Sequence, residues 1–334
     1  MMARSIPARF LNCFLHCVRD SLEHHGKPDI IETIAQPLGF GFDVDLGSRD
    51  WWIGGHGEVM LQAPSFNRGL TGWWEDIEPK TFPDILSAEL DRGNYVAVQT
   101  DWSSVPYGKY LGLHVALFKH LSADGSRYYI LDRMAHRTER GFGPNMCGWV
   151  DADIFARAFQ RRLSVFRYRI NPPGPTWEEE FLRLLSSSVD NMTGSTGVYA
   201  PHMHIATGLG GIRYFAHAVR ETIKPSYYRD KQLEFLFSVR FQDNIRTHLI
   251  GSRMLLSKAI RETLPTSMAE RYVAIDNHLR FAINQWDELS RTMMTAGSDL
   301  SKLFFERVSE QVSNCGEAEE HLVMAIAAQL KKGA

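Results

Sequence analysis

The chain has 334 residues, of which 44% are hydrophobic and 23% charged, with a formal net charge of −2. That length accommodates two ordinary domains, the composition is that of a globular protein, and the near-neutral balance offers no basic face for nucleic acid. No apolar run approaches the roughly 18–20 residues that cross a bilayer, and four cysteines are too few for a disulfide scaffold.

The opening stretch, MMARSIPARFLNCFLHCV, lacks a long apolar segment followed by a small-residue cleavage site. No signal peptide is expected, and the expected compartment is the cytoplasm, with reduced thiols. Apolar residues then recur at helical spacing (Phe10, Leu11, Phe14, Cys17, Val18, Leu22), predicting a helix over 10–25. Asn12 is suited to cap it, and Gly26 with Pro28 to stop it. A short second helix is expected over Asp29 to Gln36. Residues 38–75 are rich in glycine and aromatics, including Trp51, Trp52, Trp73 and Trp74, with no steady period; they read as short strands and loops over a pocket.

Strand signals follow at 94–100, 112–121, 127–133 and 163–170, each a β-branched and aromatic run. The SADG between the second and third is a hairpin turn. NPPGPTWEEE, 171–180, can continue neither strand nor helix and predicts a domain boundary. Beyond it apolar spacing is helical almost throughout. The expected fold class is therefore α+β: a helix plus antiparallel sheet over 1–170, followed by an all-α domain over 171–334.

The four thiols are Cys13, Cys17, Cys147 and Cys315. Cys13 and Cys17, four apart on one helix, are poorly placed for a disulfide. With His16 they lack the second ligand pair that a zinc site needs, so no metal is expected. Cys17, Cys147 and Cys315 read as small core residues. Cys13 differs because it falls in the first turn of the first long helix, where unpaired N–H groups and the helix dipole favour a thiolate. A cysteine there, followed by a sheet carrying a histidine and a carboxylate, is the papain-type arrangement. His114 interrupts an apolar strand and Asp132 ends the next. Across a hairpin the two can lie side by side. A histidine in such a strand can equally be a satisfied core residue; the order Cys, His, Asp tips the balance towards catalysis.

Taken together, NCFLHCVRDSLEHHG with LGFGF, and GNYVAVQTDWSSVPYGKYLGLHVALFKHL with YYILD, resemble the two sequence blocks of the butirosin biosynthesis protein H family. The second half, with GLGGIRYFAHAV, resembles the helical domain that follows in such proteins. The resemblance implies a papain-like catalytic domain over 1–170 and an acyltransferase of natural-product assembly. Its donor would be an acyl or peptidyl carrier protein, whose phosphopantetheine arm carries the thioester, and its acceptor a small-molecule amine. It places the nucleophile on Cys13, the base on His114 and the orienting acid on Asp132, with no cofactor bound by the protein. Asn12 stands where the family often has histidine. Asn12 either donates to the oxyanion or caps the helix. Asp101 and Tyr107, just before the histidine strand, are candidates to bind the acceptor amine or are structural loop residues. The helical half would dock the carrier or form a homodimer interface. No nucleic acid or membrane partner is expected. A cysteine peptidase or amidase with the same triad, and a non-catalytic papain-like binding protein, are the rival readings.

Overall fold

The computed structural model describes residues 13–26, 37–44, 51–54, 65–66, 70–105, 113–133, 137–138, 141–142, 146–170, 177–194, 206–221, 244–295 and 302–333. Asn12 and Tyr107, the expected helix over 29–36 and most of the one over 227–245 lie outside these. The fold is α+β. The chain divides into two compact units, one of Met1–Ile34 with Leu61–Gly174 and one of Ala35–Met60 with Pro175–Ala334.

In chain order the elements are α1 (Cys13–His24), β1 (Gly41–Val44), β2 (Trp51–Gly54), β3 (Ser65–Phe66), β4 (Leu70–Asp76), α2 (Phe82–Asp91), β5 (Val96–Asp101), β6 (Leu113–Leu121), β7 (Arg127–Asp132), β8 (Arg137–Thr138), β9 (Gly141–Phe142), β10 (Met146–Asp151), α3 (Asp153–Arg161) and β11 (Leu163–Ile170). They continue with α4 (Trp177–Thr193), β12 (Ala206–Thr207), α5 (Gly208–Glu221), α6 (Gly251–Lys258), α7 (Thr266–Arg271), α8 (Val273–Thr295) and α9 (Lys302–Gly333).

The first unit is built on an antiparallel sheet of order β10-β7-β6-β5-β11-β4-β3. Val96, Val98, Ala116, Phe118, Tyr128, Ile130, Leu163 and Val165 alternate onto one face and form a core with Phe82 and Leu86 of α2 and Phe155, Ala158 and Phe159 of α3. Neither helix was expected from sequence, although Phe155, Ala158 and Phe159 carry the i, i+3, i+4 spacing of a one-sided helix. Helix α1 lies against β5 and β6. Its Phe14 meets Phe166 edge-on at 4.8 Å and Trp74 at 5.2 Å. Phe166 points away from its strand neighbour Val165, so α1 covers the opposite face. The close approach of Phe166 to β4 requires Gly72: a Cβ there would sit 2.1 Å from the ring.

The turn between β6 and β7 is closed by Asp124, whose carboxylate accepts from Ser122 Oγ, Ser126 N and Ser126 Oγ; these bonds hold its acidity well above that of an ordinary aspartate. Near the turn His120 faces Tyr129, but farther along Phe118 faces Ile130 and Leu117 faces Leu131. One extra residue in β6 thus bulges between Phe118 and His120.

The second unit is mainly helical, with α9 packed on α4, α5 and α8. It is not purely helical, which corrects the expected all-α domain. It contains a three-stranded sheet of order β12-β1-β2, in which Phe42 of β1 is fully buried and packs on Phe215 of α5 at 4.7 Å. The expected boundary near 171 is accompanied by an exchange. The stretch 35–60, assigned from sequence to the first domain, belongs with the helices because its strands pair with β12 rather than with the larger sheet. Trp51 and Trp52, expected near Trp73 and Trp74, lie in this sheet.

Candidate active site

His114 is the second residue of β6 and Asp132 the last of β7. His114 Nε2 and Asp132 Oδ2 are 2.9 Å apart, and the two residues are 4% and 2% exposed. The bulge makes this pair. Continuing the turn-side register without an extra residue would set Asp132 opposite Leu117, on the other face from His114. With the extra residue Asp132 falls opposite Ala116, which shares the face of His114.

Cys13 opens α1 and is half-buried. Its thiol is within hydrogen-bonding and charge reach of the same imidazole. With Nε2 committed to Asp132, Nδ1 is the ring nitrogen left for the thiol. Burial works against the imidazolium, but the Asp132 and Cys13 charges and hydrogen bonds outweigh it and raise the His114 pKa to about 10. The structure therefore brings together the cysteine, histidine and carboxylate singled out from sequence.

Two flanking features were not foreseen. Trp102, fully buried just after β5, packs edge-on against His114 at 5.1 Å and 86°, which restricts rotation of the ring. Asp20, two turns along α1 from Cys13, accepts both Arg133 Nε at 2.7 Å and Arg133 Nη2 at 2.8 Å. Its position on the Cys13 face was legible from i, i+4, i+7 spacing, but its partner was not.

Asp101, a sequence candidate for amine binding, forms a 2.7 Å ion pair with Arg161 at the end of α3 and faces Leu113 across the sheet. Of the tryptophans expected to close a pocket, Trp74 is packed between Phe14 and Phe166, and Trp73 is exposed beneath the Arg169 guanidinium.

Cys17 and Cys315 are buried, and burial pushes both thiols well above their ordinary values. The core reading fails for Cys147, which is exposed on β10 with the Tyr129 hydroxyl 3.3 Å from its sulfur; its position on the end strand of the sheet leaves that side uncovered. Native-state labelling with iodoacetamide, mapped by peptide mass, is expected to modify Cys13 first, beside its imidazolium, then Cys147. Cys17 and Cys315 should react last. Faster labelling of Cys17 than of Cys13 would relocate the nucleophile.

Among the described residues no group of three or more histidine, cysteine, aspartate and glutamate side chains is arranged to hold a metal ion, and no helix is long and apolar enough to cross a membrane. No protein-family model matches the chain, and no curated protein matches it.

Proposed function

We propose that the first unit is a papain-like cysteine-nucleophile domain that transfers an acyl group from a carrier-protein thioester to an amine. The observation that carries this reading is the buried His114 imidazole held between the Asp132 carboxylate and the Cys13 thiol. The donor and acceptor classes rest on the resemblance in residues 9–26 and 94–132.

In the proposed cycle His114 takes the Cys13 proton and the thiolate attacks the thioester carbonyl. The carrier thiol leaves, taking the proton back from His114, and the acyl group is now on Cys13 Sγ. Exchange between two thioesters is nearly isoenergetic, so the step calls mainly for positioning and for donors to the oxyanion. The amine then attacks acyl-Cys13, His114 accepts its proton, and the amide departs as the Cys13 sulfur is released and reprotonated. Asp132 holds the imidazole tautomer and supports its charge throughout.

The test is intact-mass spectrometry with an acyl-phosphopantetheine carrier thioester. An adduct of the acyl mass on Cys13, discharged to an amide when an amine is added, is expected. Release of free acid whatever amine is offered would replace transfer by hydrolysis. A Cys13 that takes up no acyl group and resists alkylation would leave only a binding role.

A further inference from the structure

The Asp20–Arg133 pair lies one residue from Asp132 in sequence and on the helix that carries Cys13. We propose that Asp20 is a positioning residue, whose bidentate hold on Arg133 keeps that guanidinium off the Asp132 carboxylate and so leaves Asp132 committed to His114. The proposal deepens the acyl-transfer reading and takes its reaction from it.

Arg133 directly follows Asp132, so a guanidinium on a flexible stem is tethered next to the carboxylate that orients the imidazole. Arginine is always charged and engages a carboxylate through two parallel hydrogen bonds, which a single imidazole N–H cannot match. Left to itself, Arg133 would compete for Asp132. Asp20 prevents this by occupying both Nε and Nη2. Asp20 is itself nearly buried, its side chain 7% exposed, and its Oδ1 also lies 3.5 Å from Arg19 Nη2. Arg19 is drawn in turn towards Glu23, 3.9 Å away. The buried Cys17 thiol sits within charge reach of Cys13, Asp20, Asp132 and Arg133 alike, so these groups form one electrostatic cluster. The groups facing His114 are Asp132 from β7, Cys13 from α1, Trp102 after β5 and, directly opposite on β5, Thr100. Glu23 and Cys147 are the remaining charged or titratable groups felt by Arg133. Among these, Asp132 is the carboxylate whose diversion would alter the imidazole.

A mechanical tether and a charge sequestration predict different outcomes for the two ends of the pair. Asp20→Asn frees Arg133 to engage Asp132. It is expected to slow Cys13 acylation by about 10-fold to 100-fold, as small misplacements of reacting groups do, and to lower the NMR titration midpoint of His114 from about 10. Arg133→Gln removes the competitor and should leave that midpoint near the wild-type value. Asp20→Asn with Arg133→Gln should restore the midpoint and most of the rate even where thermal stability stays reduced, and Asp20→Glu should rescue both. If Arg133→Gln shifts the midpoint as far as Asp20→Asn, or the double variant is no better than Asp20→Asn, the pair is a tether and the proposal is overturned. An unshifted midpoint in Asp20→Asn also overturns it. The pH profile of Cys13 alkylation by iodoacetamide runs alongside and needs no acyl donor. A wild-type protein that forms no acyl-enzyme therefore defeats the acyl-transfer reading while the fate of Asp20 is still decided.

Discussion

Cys13→Ala is expected to form no acyl-enzyme with any carrier thioester, and His114→Ala to lose nearly as much rate, because members of one nucleophilic unit do not contribute additively. Asp132→Asn keeps a side chain that can still meet the imidazole but favours the wrong tautomer, and should cost roughly 10-fold to 10⁴-fold. The measurement is the single-turnover rate of the mass shift on Cys13. If His114→Ala retained more than a tenth of that rate, His114 would not be the base. The same histidine links the site to stability. Its folded-state pKa, about 10, lies above its ordinary value of 6.5. Its ionic contribution is therefore complete below about pH 6.5 and is lost as pH rises through about 10, where the imidazolium gives up its proton. The stability difference between wild type and His114→Ala should accordingly shrink between pH 7 and pH 10, as read by denaturant unfolding.

Arg253→Met should be the most destabilising change in the second unit. Arg253 and Glu319 are both fully buried and meet at 2.6 Å through Arg253 Nε. Arg253 Nη1 also donates to Leu249 O and Ser252 Oγ, and Trp286 Nε1 donates to the same Glu319 oxygen at 2.7 Å. Phe40 stacks on Trp286 at 5.7 Å, so the charged pair lies at the junction of α6, α8, α9 and the segment before β1. Removing the arginine strands a carboxylate where water cannot reach it, a loss of about 3–5 kcal/mol for a buried pair broken on one side. Adding Glu319→Gln should recover much of this, since the amide oxygen still accepts from Trp286 and no charge is stranded. Denaturant unfolding followed by far-ultraviolet circular dichroism, which reads chiefly the helices, is the check. A loss below about 1 kcal/mol in the single variant would mean that the site relaxes or admits water instead.

Much of the first unit was legible locally. The spacing of Phe14, Cys17, Val18 and Leu22 specifies α1. The β-branched runs specify β5, β6, β7 and β11 to within a residue or two, and the SADG turn joins β6 to β7 as neighbours. These signals depend only on residues a few positions apart, because side-chain period follows from backbone geometry. Cys13 at the helix start and Asp132 at the strand end were readable for the same reason.

Whether Asp132 faces His114 was not readable, since a single bulged residue between Phe118 and His120 decides the face, and nothing in the local apolar pattern marks where a strand absorbs it. The choice between Cys13 and Cys17 was made by burial, which depends on what covers the helix rather than on the helix itself. The strands at 41–44 and 51–54 carry the same composition whichever sheet they join; their pairing with 206–207, and with it their transfer to the second unit, depends on hydrogen-bond partners more than 150 positions away. Asp20 with Arg133, and Arg253 with Glu319, likewise become pairs only when distant segments meet. A buried charge must find a counter-charge wherever the fold provides one, and sequence periodicity carries no record of that partner.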